Sequence, residues 1–210
     1  MKIFVTGSTG FVGKRLILSL LEDGHDVYAL CRIKGTQVFS GKKPNLHYIW
    51  GDLRNPDTLS AIPREIEIAY YLVHSMTDIM SDLVKMELEV AEQFVKGIAP
   101  TNVKQIIYLG GIINDEKLLS PHLKSRLLVE QILKDSKIPV TILRASIIVG
   151  TGSASFEIIR DLCEKLPFMI APKWVNTQCQ PIAIRDAIFY LSKALINMEC
   201  FDKTFDIGGP

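Results

Sequence analysis

The chain has 210 residues, 48% of them hydrophobic, with 24 Lys and Arg against 23 Asp and Glu. That length fits one large domain, or one with a small appendage, and it can bury a core without covalent staples. The net charge of +1 argues against nucleic acid and against an anionic membrane surface as partners.

The first apolar run, residues 2–6, predicts a buried strand that runs directly into Gly7, Gly10 and Gly13. Phe11, Val12, Leu16, Ile17 and Leu20 then recur at helical spacing, and Gly24 stands where that helix should stop. Strands are predicted at 26–31, 46–50 and 67–73. A helix follows over 82–99, where Leu83, Met86, Val90, Phe94 and Ile98 share a face ahead of Pro100. A strand at 104–109, a helix through Leu123 to Leu133 and a strand at 139–144 continue the alternation. Several strands lack polar alternation, as parallel strands covered on both faces do. The expected fold is α/β, a doubly wound, mostly parallel sheet.

After Gly150 the pattern loosens. A helix at 155–165, a loop with Pro167 and Pro172, a short segment at 179–184, a helix at 185–197 and a strand at 203–207 are expected. This divides the chain into a dinucleotide-binding domain, 1–150, and a small substrate-side lobe, 151–210, with native sequence expected to continue past Gly209-Pro210. No apolar run reaches the ~18 residues of a membrane span. No basic and apolar leader opens the chain, so a cytoplasmic location is expected. Cys31, Cys163, Cys179 and Cys200 form no CxxC pair and read as reduced thiols, and no cluster has metal-ligand spacing.

The three glycines mark a phosphate cradle. The turn needs a residue free to take positive φ, and a pyrophosphate must reach the backbone without meeting a Cβ. The helix N-terminus then offers free N–H groups and the positive end of its dipole. The second strand ends Tyr28-Ala29-Leu30-Cys31-Arg32, without the acid that bonds a ribose 2′-hydroxyl in NAD sites. Arg32, followed by Lys34, suits a 2′-phosphate instead, so NADP(H) is the expected cofactor, with NAD possible.

Thr6-Gly7-x-x-Gly10-Phe11-Val12-Gly13 resembles the TGxxGFxG fingerprint of the extended and atypical short-chain dehydrogenase/reductases. Gly51-Asp52-Leu53 is similar to the family's GDL step, which holds the adenine. Leu143-Arg144-Ala145-Ser146 to Gly150 resembles its LRPxxxxG stretch, Gln180-Pro181-Ile182 to Arg185-Asp186 its PIHVxD segment, and Phe205-Asp206-Ile207-Gly208-Gly209 its closing strand. Ala69 to Met76 and Leu119-Ser120-Pro121-His122-Leu123 are similar to a bacterial subgroup of NmrA-like and nucleoside-diphosphate-sugar epimerase-like proteins. The resemblance implies a cofactor site of Gly7, Thr9, Gly10, Phe11, Val12, Gly13, Arg32, Asp52, Leu53, Val73, His74 and Arg126. Ser75 and Met76 should border the same site, and Trp174 in the 167–180 loop could wall the substrate.

The resemblance breaks at the chemistry. Family enzymes use a Ser or Thr after strand five and a Tyr-x-x-x-Lys pair on the next helix. Here Gly110 and Gly111 stand at the hydroxyl position, and the register set by Ser125 and Glu130 puts His122 at the tyrosine and Arg126 at the lysine. Spaced i and i+4, the two share a helical face. Either His122 is a substitute acid/base, its ordinary pKa near ~6.5 suiting neutral pH, with Arg126 on the nicotinamide ribose, or the catalytic pair is gone. Three functions follow: a reductase acting on a small-molecule substrate, a cofactor-binding sensor or scaffold, or an epimerase-like enzyme. A homodimer through helices 82–99 and 122–135 is the expected assembly.

Overall fold

In strand β1 (Lys2–Val5), Ile3 and Val5 face one side of a sheet and Phe4 the other, and all three are fully buried. Residues two apart share a face, so a run apolar at every position must be covered on both sides. β4 (Ile68–Tyr71), β5 (Gln105–Gly111) and β6 (Val140–Ala145) repeat this, sending alternate residues into two separate cores. The computed structural model describes residues 1–74, 80–113, 120–165 and 179–209. With β2 (Asp26–Cys31), β3 (Leu46–Trp50) and β9 (Thr204–Ile207) they form a seven-stranded parallel sheet in the order β3-β2-β1-β4-β5-β6-β9.

Helices α1 (Phe11–Glu22) and α5 (Ile184–Lys193) cover one face, with Leu16, Ile17, Leu20, Ala187, Ile188 and Leu191 in the first core. Helices α2 (Met80–Ile98) and α3 (Pro121–Asp135) cover the other through Val90, Phe94, Ile98, Val129 and Leu133. Strands β7 (Ile148–Val149) and β8 (Ile182–Ala183) form a small parallel pair beside α4 (Ala154–Lys165). The order reverses between β1 and β4, which opens a crevice at the carboxyl ends of those strands.

Most predicted elements recur within two residues of their expected bounds. The helix expected over 185–197 ends sooner, at Lys193. Buried Gln105, on β5, donates to the Ala194 carbonyl at 2.7 Å and accepts from the Ile196 amide at 2.7 Å. Those bonds take the backbone groups that another helical turn would use, and Ile196 turns away at φ 47°. The expected Pro167 and Pro172 loop lies outside the described residues.

Candidate functional site

Gly7, at φ 65°, makes the turn out of β1. A Cβ there would also lie 2.5 Å from the Leu72 carbonyl oxygen. Gly13 is required for another reason: its Cβ would lie 2.2 Å from the Gly7 oxygen, so α1 could not close on the turn. Gly10 differs. It is exposed, its φ of −75° suits any residue, and a Cβ would meet only the Gly7 oxygen, at 3.1 Å. The protein's own packing asks little of Gly10, so its bareness serves the space above it. Thr6 fixes the turn to β4, donating to the Tyr70 carbonyl at 3.0 Å and accepting from the Leu72 amide at 3.1 Å. Ser8 fixes it to β2 by donating to the Leu30 carbonyl.

Gly10 caps α1 without any side-chain bond, and the first turn of the helix carries no acid. The early N–H groups of α1 therefore face outward with the positive end of the dipole beside them. They open onto a cleft of about 970 Å³ running along the carboxyl edge of the sheet. Gly7, Gly10, Phe11, Val12 and Gly13 line one end, and Gly110, Gly111, His122, Leu123 and Arg126 another. A Cβ-free cradle under unclaimed helix donors is what a dinucleotide pyrophosphate needs, so the residues present fit that cofactor.

The far end holds a polar cluster. Arg126 Nε donates to His122 Nε2 at 3.2 Å, joining the two residues that the helical spacing places on one face. Arg126 Nη1 lies 2.7 Å from His74 Nδ1 and 3.0 Å from its Nε2, bridging 52 residues of sequence. The Tyr108 phenol also bonds Arg126. Burial first, then the Arg126 charge, then His122, hold the His74 imidazole well below its ordinary pKa. Burial first, then Arg126, lower that of His122, against an opposing pull from Glu87. Burial raises the Tyr108 phenol, and Arg126 opposes the shift. Both imidazoles therefore stand neutral at pH 7, with the His122 Nε2 lone pair accepting from Arg126 and its Nδ1–H without a partner among the described residues.

Two further groups brace this end. Ser125, on α3, donates to Glu87 of α2. Arg144 of β6 forms a two-bond ion pair with buried Glu130 of α3, Nε to Oε1 at 2.9 Å and Nη2 to Oε2 at 2.6 Å. A Cβ on Gly110 would lie 3.2 Å from Glu130 Oε1, and one on Gly111 3.0 Å from Leu123 Cδ2. The glycines thus let β5 and α3 pack closely where the family pattern has a hydroxyl.

Of the remaining expected site residues, Arg32 and Thr9 are exposed, and neither lines this cleft. Asp52 accepts from Arg54 Nη2 at 2.7 Å, and its carboxyl is held below the usual range by Arg54 first, with a smaller contribution from Arg32. Leu53 buries its side chain in the second core, Val73 packs partly buried against the same core, and neither lines this cleft. Ser75, Met76 and Trp174 lie outside the described residues. Arg54 had no signal in the sequence beyond its charge, and the membership of His74 in the polar cluster had none at all.

Comparison with known proteins agrees with the architecture. The family model described as NmrA-like family matches residues 1–165. The photosystem II assembly factor Ycf39 of Cyanophora paradoxa is 26% identical over 215 aligned residues, which cover 100% of this chain and 64% of that protein. A chloroplastic divinyl chlorophyllide a 8-vinyl-reductase from Cucumis sativus is 22% identical over 99% of this chain and 52% of its own length. The chain therefore spans between about half and two-thirds of these two relatives. Among solved structures, UDP-glucuronic acid 4-epimerase from Bacillus cereus, in complex with NAD, superposes with a TM-score of 0.80 at 22% identity, covering 100% of this chain and 78% of that one. Among the described residues, no helix is long and apolar enough to cross a membrane, and no group of three or more His, Cys, Asp or Glu could hold a metal ion.

Proposed function

We propose that this chain, which belongs to the NmrA-like family, binds NADP(H) and reduces a small-molecule carbonyl or activated double bond. One observation carries the reading: the Gly10 cradle and the His74–Arg126–His122 cluster line a single cleft at the switch point of the sheet. The NAD in the solved epimerase complex and the reductase among the relatives support it.

A bound nicotinamide would supply the hydride. Gly10 and the α1 N-terminus would hold the pyrophosphate, and Arg32 the 2′-phosphate. The neutral His122 Nδ1–H can polarise a substrate oxygen by hydrogen bonding. To pass a whole proton, His122 must first release the Arg126 bond and become an imidazolium, because a neutral imidazole does not give up its only N–H near neutral pH. Because the pKa is lowered, that imidazolium becomes the major form only at a pH below the ordinary 6.5. Reductive turnover through His122 should therefore be highest in mild acid and fall as the pH rises toward 6.5. NADPH consumption at 340 nm, followed against pH over a panel of ketones, aldehydes and enones, tests this. His122→Ala should lose about 10²–10⁴ in turnover. A rate flat across pH 5–8, or untouched by the substitution, would remove His122 from the chemistry.

A cofactor-binding sensor or scaffold is the second reading. It is favoured by the absence of a hydroxyl at Gly110 and Gly111, by the engaged lone pair of His122, and by the assembly factor among the relatives. It expects nucleotide binding with no consumption over the whole panel.

A further inference from the structure

Among the described residues, Arg126 forms no ion pair, although the buried Glu87 lines the same small cavity. The bonded partners of Arg126 are two imidazoles and a phenol, all neutral at pH 7. Among the described residues no carboxylate lies within 4.0 Å of it, whereas Arg144 on the neighbouring strand has Glu130 at 2.6 Å. Glu87 of α2 accepts from the Ser125 hydroxyl and acts on the cluster from beyond ion-pair distance. A half-buried guanidinium loses part of its hydration, and neutral acceptors return only some of that loss. Side chains that fix such a cation without neutralising it hold it ready for an anion from outside.

The cofactor is a poor source for that anion. Its pyrophosphate has the N-terminus of α1, beyond β1, while Arg126 stands over β5, whose Gly111 would place a Cβ 3.4 Å from Arg126 Cδ. Ribose hydroxyls carry no charge. Beyond the polar cluster, Leu123 lies beside Gly111 next to Arg126, and Ile112 and Ile147 line the same cleft. With Nε and Nη1 already engaged, Arg126 has few donors left, which suits a carboxylate on an apolar body better than a phosphate, which takes more.

We infer that the cleft takes a substrate with a carboxylate on an apolar frame, bound through Arg126, whose guanidinium His74 and His122 hold in place. This rests on the cleft being a dinucleotide-dependent substrate site. It makes Arg126 a substrate-binding residue rather than a ribose ligand, and His74 a positioning residue.

Calorimetry on the full chain at pH 7.5, with and without saturating NADP⁺, tests it, using benzoate and octanoate against benzamide and octanamide as probes. The acids should bind at least tenfold more tightly than their amides. Arg126→Gln should abolish that preference while leaving NADP⁺ affinity within about threefold. Arg126→Lys should keep part of the preference, and thermal melts establish that both variants fold. His74→Gln should weaken acid binding and leave the amides unchanged, which loss of fold would not do selectively. Equal binding of acids and amides, no binding of any acid, or a preference that survives Arg126→Gln would overturn the inference. Loss of NADP⁺ together with the acids would return Arg126 to the cofactor and also overturn it. Failure of the wild-type chain to bind any nicotinamide dinucleotide would instead refute the underlying reading, and Arg126-dependent acid binding would still be measured without it.

Discussion

Arg32 and the two site histidines show how single residues carry the account. Arg32 is exposed at the end of β2, close enough to Asp52 for its charge to help hold that carboxyl ionised. A charge-assisted bond to a 2′-phosphate contributes roughly 1.5–3 kcal/mol, so Arg32→Ala should weaken NADPH by about tenfold to a hundredfold and leave NADH nearly unchanged. Parallel titrations with the two cofactors check this, and equal loss for both would place Arg32 on the adenine. His74 and His122 set a pH dependence of stability. Both imidazoles have folded pKa values below the ordinary 6.5, so the unfolded chain takes up their protons first as the pH falls. The stability they contribute is complete above 6.5 and is lost as the pH drops from there toward the folded values. Melting temperatures should therefore decline from pH 7 to pH 5, and His74→Gln should flatten that decline. The cradle was legible in the sequence because glycine spacing after an apolar strand is a local signal. The His74–Arg126 contact was not, because it forms only when β4 and β5 pair and α3 packs over them, and no short window of sequence encodes that.

Among the elements, α3 matters most for the site, since it carries His122 and Arg126. Its tie to the sheet is the Glu130–Arg144 pair, with the Glu130 side chain 2% exposed. Removing one partner of a buried ion pair leaves the other charge poorly compensated. Glu130→Ala should lower stability by about 3 kcal/mol in denaturant titration, and Glu130→Gln by less, because the amide still accepts from Arg144. A loss below about 0.5 kcal/mol would mean that α3 is held by its apolar face alone, through Val129 and Leu133. Strands were readable to within two or three residues, because a run that is apolar at every position fits only a doubly covered strand. The end of α5 was not, since Gln105, from a different strand, decides where that helix stops. Ala194, Leu195 and Ile196 continue the apolar pattern past that point, so periodicity alone runs on.

At the scale of the molecule, the parallel sheet converts its strand order into a site. Reversal between β1 and β4 separates α1 from α2, and the space left at the carboxyl edge becomes the cleft. The α/β class and this edge followed from alternating strand and helix patterns. The nature of the chemistry at its far end did not, because His122, Arg126 and the two glycines depart from the family's catalytic residues. The central claim is that the room above Gly10 exists for a dinucleotide. Calorimetric titration of NADPH into the wild-type chain, Gly10→Val and Gly13→Ala tests it most directly. Gly13→Ala should fail by loss of stability, because its Cβ meets backbone at 2.2 Å. Gly10→Val should melt within a few degrees of the wild type and bind NADPH at least a hundredfold more weakly. A folded Gly10→Val chain that binds NADPH as tightly as the wild type would contradict the account.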